Sequence, residues 1–306
     1  MRVFVTGASG WIGSALVPQL IDAGHEVVGL ARSDESAAAL SAAGVEAVRG
    51  SLDELDTLRA VADKTDGVVH LAFKHDEAFS GNFPAATAAD RAAVEAFGDV
   101  LAGSGRPLLI AAGTLGLLSG DVLTEDVRRP SGDPANIGPA HRRIATAEHT
   151  LALAERGVRS GVVRLPPTVH GVGDAGFVPA LITIARERGV SGYVGDGTNR
   201  WPAVHRTDAA RLFGAALEHA PAGAVLHAVA DEGVSLGTIA EIIGRHLDVP
   251  VVSIAADEAP NHFGWLAGFV ASDSPASSAR TQALLGWHPN GPGLIEDLEK
   301  GHYFRP

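Results

Sequence analysis

Apolar and polar positions follow two alternating periods along the first half of the chain. Short runs rich in β-branched residues at Arg2–Val5, Glu26–Leu30, Val45–Arg49, Gly67–Leu71, Pro107–Ala112 and Val158–Leu165 predict strands. Between them, apolar residues recur every three or four positions at Ile12–Ala23, Glu54–Ala62, Pro84–Ala102 and Arg142–Arg156, which predicts helices. Alternation of this kind predicts an α/β architecture built on a doubly wound parallel sheet. After Leu165 the pattern weakens. A Pro- and Gly-rich loop runs from Pro166 to Gly176, helices are predicted at Pro179–Arg188 and Thr207–His219, and a strand at Val225–Val229. No internal repeat or low-complexity linker interrupts the chain.

Between the first strand and the first helix stands Thr6-Gly7-Ala8-Ser9-Gly10-Trp11-Ile12-Gly13. Gly7 permits a tight turn, Gly10 lets the backbone approach a pyrophosphate, and Gly13 lets helix and strand pack closely. Phosphates would then meet the N–H groups of the helix N-terminus, with Ser9, Trp11 and Ile12 in the same cradle. A glycine-rich turn without a ligand is the plainer alternative, and the flanking strand and helix argue against it. The expected organisation is therefore a Rossmann-type dinucleotide-binding domain of residues 1–165 plus about 203–230. A smaller C-terminal substrate-binding cap would take residues about 166–202 and 231–306.

The end of the second strand bears on which nucleotide binds. An NAD site places Asp or Glu there to hold the ribose hydroxyls, whereas this chain has Ala31, Arg32 and Ser33. A guanidinium can pair with a 2′-phosphate, and the missing carboxylate removes a repulsion. NADP(H) is expected in preference to NAD(H), with Arg32 and Ser33 at the nucleotide. The alternative is a surface arginine partnered by Asp34 or Glu35.

Composition narrows the class. The 306 residues carry 36 acidic and 24 basic side chains, a formal net charge of −12, which opposes binding to nucleic acid or anionic membranes. There is no cysteine, hence no disulfide or thiolate chemistry, and the chain begins directly with a core strand, so a cytoplasmic location is expected. No apolar stretch approaches the roughly 20 residues of a membrane span. Thirteen histidines invite a metal reading, but no HExxH or comparable pairing appears and no metal site is expected. The expected partner is a small-molecule substrate, and a homodimer is left open.

Several segments together resemble the extended short-chain dehydrogenases/reductases, the NAD(P)-dependent epimerase/dehydratase group. They are the glycine motif, Val69-His70-Leu71-Ala72, Arg164-Leu165-Pro166-Pro167-Thr168-Val169-His170-Gly171, Gly195-Asp196-Gly197 through Val204-His205 to Asp208, and Leu285-Gly286-Trp287. The resemblance implies that Leu71, Ala72 and Phe73 line the cofactor, that Pro166 and Val169 border the nicotinamide, and that later segments wall the substrate. His170 falls in a slot often held by tyrosine and His205 matches a histidine of the family. Trp201 stands where nucleotide-sugar epimerases carry an arginine, with Arg200 one residue early, which disfavours a sugar nucleotide. Tyr193 would lie in the cap.

The chain departs from that family at its usual proton donor, a Tyr-x-x-x-Lys dyad. Its two tyrosines are Tyr193, followed four residues later by Gly197, and Tyr303 near the end. The resemblance aligns the dyad with Ala140 and Ile144, or with His141 and Ala145 one residue along. Thr114 is the hydroxyl expected after the fifth strand. The best substitutes for the acid follow the fourth strand, where open α/β sheets place ligands. His75 is the leading donor, with Asp76 as a possible orienter and Lys74 in reserve, because a carboxylate can raise an imidazole pKa and burial can lower that of a lysine. A solvated helix start is the alternative for all three. Two functions remain open. One is an NADP(H)-dependent oxidoreductase reducing a carbonyl, or a related C=N or C=C bond, of a small, partly apolar molecule. The other is a non-catalytic NADP-binding sensor or scaffold.

Overall fold

The computed structural model describes residues 1–128 and 139–305, apart from the side chains at positions 79, 139 and 140. Its first half alternates strand and helix: β1 (Arg2–Thr6), α1 (Gly13–Asp22), β2 (Glu26–Ala31), α2 (Asp34–Ala42), β3 (Glu46–Arg49), α3 (Leu55–Asp63), β4 (Gly67–His70), the single turn α4 (His75–Glu77), α5 (Phe83–Leu101), β5 (Pro107–Gly113), α6 (Pro139–Ala152) and β6 (Arg159–Leu165). With β10 (Ala224–His227) these strands form a seven-stranded sheet in the order β10-β6-β5-β4-β1-β2-β3, every pair parallel. The chain order reverses between β1 and β4, which opens a crevice at the carboxyl ends of those two strands. The doubly wound parallel sheet expected from the sequence is the fold.

Strand alternation divides the sheet's two faces. Val3, Val5, Val27, Val69, Leu109 and Val163 point to one side, where they join Leu16 and Leu20 of α1 and Leu212 and Phe213 of α8 (Arg206–His219). Phe4, Val28, Val68, Leu108 and Val162 point to the other, against Leu58, Val94, Phe97 and Leu151 of α3, α5 and α6. The Phe4 and Phe97 rings meet edge to face with centroids 5.9 Å apart. Truncating such a buried ring to alanine costs about 3–5 kcal/mol. The helix α2 has no counterpart in the apolar pattern because only Leu40 is buried along it; a capping box between Ser33 and Ser36 starts it instead.

The second half adds β7 (Thr168–His170), α7 (Phe177–Arg188), β8 (Ser191–Val194), β9 (Arg200–His205), β11 (Asp231–Ser235), α9 (Leu236–Leu247) and β12 (Val251–Ile254). β7, β9 and β11 form a three-stranded sheet, and β8 pairs with β12. The three-stranded sheet separates two apolar clusters. Val169 and Val204 face the cluster of α1 and α8, whereas Trp201 and Ala203 face a cluster built from Val178, Ile182, Leu236, Ile239, Phe263 and Leu298. Trp287 lies with α1 and α8, its Nε1 donating to Asp208 O at 3.1 Å. Among the described residues no helix is long and apolar enough to cross a membrane.

Candidate functional site

The glycine turn closes directly against the exit of β4. Gly7 has φ +69°, and a Cβ there would lie 2.8 Å from Ala72 N. Gly10 N donates to Gly7 O at 2.9 Å, and a Cβ on Gly13 would collide with that same carbonyl. Ser9 and Gly10 are exposed, and the N-terminus of α1 at Ile12 has no side-chain cap. An exposed turn, an uncapped helix start and backbone packed too closely for side chains together fit a dinucleotide pyrophosphate. Trp11 is fixed on the far side of the turn. Its Nε1 donates to Val169 O at 2.8 Å, and the Arg206 guanidinium lies 4.4 Å over its indole. The structure thus brings Gly7, Gly10, Gly13, Leu71 and Ala72 into one place and ties Val169 to it through Trp11.

At the nucleotide end, Arg32 Nη2 is 3.1 Å from Asp76 Oδ2 at the surface. Asp34 instead faces Arg49 at 3.6 Å, so neither Asp34 nor Glu35 is the ion-pair partner that the sequence suggested. The Ser33 hydroxyl accepts from Ser36 N at 3.1 Å, which commits that lone pair to the start of α2.

The residues after β4 correct two electrostatic expectations. Lys74 Nζ lies 2.7 Å from Asp53 and 3.0 Å from Glu77, and the Asp53 hydrogen bond outweighs burial to raise its pKa. It is a locked cation, the opposite of a lysine lowered by burial. His75 shifts the other way: desolvation and then the Arg143 guanidinium hold its pKa below the ordinary imidazole value, against the upward pull of Asp76. Asp76 is turned to Arg32, and the His75 ring packs edge-on to Phe73 with centroids 5.0 Å apart. Thr114 follows β5, where its N–H donates to Leu165 O at 3.0 Å at the head of the Pro166 loop. Its hydroxyl is buried and has no hydrogen-bond partner among the described residues, a condition that costs about 1–3 kcal/mol unless something bound supplies one.

Of the four residues expected at the substrate wall, the structure buries two. Trp201 is wholly buried, its Nε1 donating to Phe269 O at 3.1 Å, and His170 is equally buried with Nδ1 3.0 Å from Asp297. On β9, Trp201 lies opposite Val234 of β11 and points inward to the core of the second half. His205 caps α8, its Nδ1 2.7 Å from Thr207 Oγ1, and Tyr193 packs beside the Gly197 turn on β8. Tyr303 donates to Asp174 at 3.0 Å and accepts from Gly171 N. Position 140 carries an undescribed side chain, and Ile144 packs with a small cluster that includes Leu117. Among the described residues no cluster of three or more His, Asp or Glu side chains is placed to hold a metal ion.

Two features escaped the sequence reading. Arg143 reaches from α6 to Ala111 O at 2.8 Å and lies 4.1 Å over the Phe73 ring. Its one visible signal was position: it continues the buried stripe of Ala147 and Leu151, a cation in an apolar row. The second is a buried chain under the crevice, formed by Thr6, His70 and Asp90.

Comparison with known proteins places this geometry. A model of the NAD dependent epimerase/dehydratase family matches residues 3–229. The chain belongs to that family. Uncharacterized protein C2A9.02 of Schizosaccharomyces pombe is 48% identical over 304 residues, covering 99% of this chain and 100% of its own. A 2-alkyl-3-oxoalkanoate reductase of Stenotrophomonas maltophilia is 30% identical over 72% of this chain and 64% of its own. Among solved structures, MoeE5 in complex with UDP-glucose and NAD superposes with a TM-score of 0.74 at 23% identity, covering 99% of this chain and 97% of that one. The family is NAD(P)-dependent, and membership supports an oxidoreductase-type enzyme.

Proposed function

We propose that this protein is an NADP(H)-dependent oxidoreductase that reduces a carbonyl, or a related C=N or C=C bond, of a small, partly apolar molecule. The observation that carries this reading is the convergence of the Gly7–Ala72 cradle with Phe73, His75 and Arg143 at the carboxyl ends of β4 and β5. The likeness to a reductase of oxoalkanoates supports reduction over epimerisation. Gly7, Ser9, Gly10, Trp11, Ile12 and Gly13 would hold the pyrophosphate, Arg32 the 2′-phosphate, and Leu71, Ala72, Phe73, Pro166 and Val169 the nicotinamide end. The bound cofactor supplies the hydride.

The chain's own groups then manage charge and protons. Thr114 offers a hydroxyl that lacks any other described partner. His75, held below its ordinary pKa, would donate an imidazole N–H hydrogen bond to the oxygen that develops negative charge, and solvent would supply the proton that completes the alcohol. Arg143 keeps the surroundings positive. Lys74 stays bound to Asp53 and Glu77 and holds the segment in place.

A non-catalytic NADP-binding sensor is the second reading, favoured by one observation: the two tyrosines are engaged elsewhere, Tyr303 at Asp174 and Tyr193 at the Gly197 turn. One experiment separates the two readings. Purified protein is titrated with NADPH and NADH, then assayed for NADPH oxidation with a panel of aldehydes, ketones and imines. Tight NADPH binding with turnover is expected; binding without turnover across the panel would favour the sensor.

A further inference from the structure

Within the reductase reading, we propose that Arg143 binds the substrate's carboxylate, and that the substrate is accordingly an oxo acid, a small carbonyl compound bearing one negative charge. Among the described residues the partly buried guanidinium makes one hydrogen bond, to Ala111 O, and covers one ring face, that of Phe73. No carboxylate among the described residues lies within 4.0 Å of it. A guanidinium has five N–H donors, so most of its fork is left for another acceptor. Arg106 shows the contrast: its guanidinium is consumed by the carbonyls of Ala62, Asp63, Thr65 and Val100. Arg32, Arg49 and Lys74 all have carboxylate partners. Asp90 feels the Arg143 charge only from beyond contact distance, and a bound carboxylate would add the direct N–H···O bonds that Asp90 does not accept.

The placement selects the kind of anion. Arg143 reaches the ends of β4 and β5, whereas the 2′-phosphate candidate Arg32 stands at the end of β2. A single planar fork suits a monoanionic carboxylate, held by two parallel N–H···O bonds. The Phe73 and Phe83 rings, with centroids 6.0 Å apart, offer apolar surface for the rest of the molecule. Thr114 supplies a second, independent sign, since its buried hydroxyl lies three positions beyond Ala111 and is unpartnered. One bound oxo acid would answer both, its carboxylate on Arg143 and its carbonyl oxygen on the Thr114 hydroxyl.

The test compares each acid with its neutral twin. NADPH oxidation is measured for 2-oxobutanoate and 4-oxopentanoate and for their methyl esters, in the wild type, Arg143→Gln and Arg143→Lys. The wild type should prefer at least one acid over its ester. Arg143→Gln should lose roughly 10- to 150-fold more in kcat/KM for that acid than for its ester, the range of a charged hydrogen bond, since any effect through His75 is common to both substrates. Arg143→Lys should fall between, because it keeps the charge without the fork. Guanidinium chloride at millimolar concentration should restore part of the acid activity to Arg143→Ala. Equal losses for acid and ester, or a wild type that reduces esters and other neutral carbonyls without favouring acids, would overturn the role of Arg143 and leave the reductase reading standing. No turnover of acids, esters or other carbonyls would overturn both.

Discussion

Thr6 Oγ1 lies 2.7 Å from His70 Nδ1, joining the last residue of β1 to the last residue of β4 across the point where the sheet reverses. Ala72 N–H donates to the same threonine oxygen at 3.3 Å, so one hydroxyl holds both partners. His70 Nε2 lies 3.3 Å from Asp90 Oδ1. Desolvation, the largest influence, pushes the Asp90 carboxyl pKa up, but the His70 hydrogen bond and the Arg143 charge outweigh it and hold the pKa below its ordinary value. The chain sets where Ala72 sits against Gly7, and so shapes the floor of the cofactor crevice.

Thr6→Val tests this link with little change of volume. It leaves His70 Nδ1 and Ala72 N–H without their partner, and the expected loss is about 1–3 kcal/mol. Urea denaturation measures it, and NADPH titration should show weaker binding in the same variant. An unchanged denaturation midpoint would mean that the hydrogen bonds contribute nothing net.

The proposed preference for NADP(H) rests on Arg32. Arg32→Ala should cost roughly 1.5–3 kcal/mol of NADPH affinity and leave NADH untouched. Since the Arg32–Asp76 pair is exposed, Asp76→Asn should tighten NADPH binding only modestly, by about 1 kcal/mol or less. Equal wild-type affinities for the two nucleotides would remove the basis for both expectations.

For the chemical step, His75→Ala should lower kcat by about 100-fold or more with NADPH affinity nearly constant. The Arg143 cation pushes the imidazole pKa down, so Arg143→Gln should move it up, as read from the pH titration of the His75 ring signal by NMR. A downward move would contradict the charge arrangement described for the site.

Acid should destabilise the fold through His227. This ring is buried between Arg164 Nη1, 3.3 Å from its Nε2, and Ser277 O, 2.8 Å from its Nδ1, and burial lowers its pKa to about 4. The unfolded chain, at about 6.5, therefore binds more protons than the native state between those values, so stability falls as pH drops through that window. The expected loss is roughly 3 kcal/mol by pH 4 relative to pH 8. His227→Gln should flatten that stretch of the stability–pH curve; a wild-type curve already flat from pH 7 to pH 4 would show that His227 is not its source.

The sheet was legible because its strands are buried on both faces and bounded by turn residues, so each local run carried its own signal. The second half was harder. β7, β9 and β11 are three to six residues long and pair across distant segments, and nothing local announces which face a residue takes. Resemblance could therefore assign His170 and Trp201 to slots without showing that both are buried. The fourth-strand exit repeats the lesson in electrostatic form. Asp76 is adjacent to His75 in sequence, yet burial, reinforced by Arg143 from a distant helix, sets the direction of the imidazole shift. Arg143 itself falls one position before the slot where the dyad lysine was sought.

The strand β9 carries Val204 to one apolar cluster and Trp201 and Ala203 to another. Side chains on a strand reverse face with every residue, so a slip of one position would exchange the contents of the two clusters together. Both halves of the molecule are thereby read in the same frame. A single-residue insertion within Arg200–His205 would garble two cores at once, whereas lengthening the turn around Gly195–Gly197 leaves that phase intact. Natural variation in the chain's length should gather in such turns and spare the strand between them.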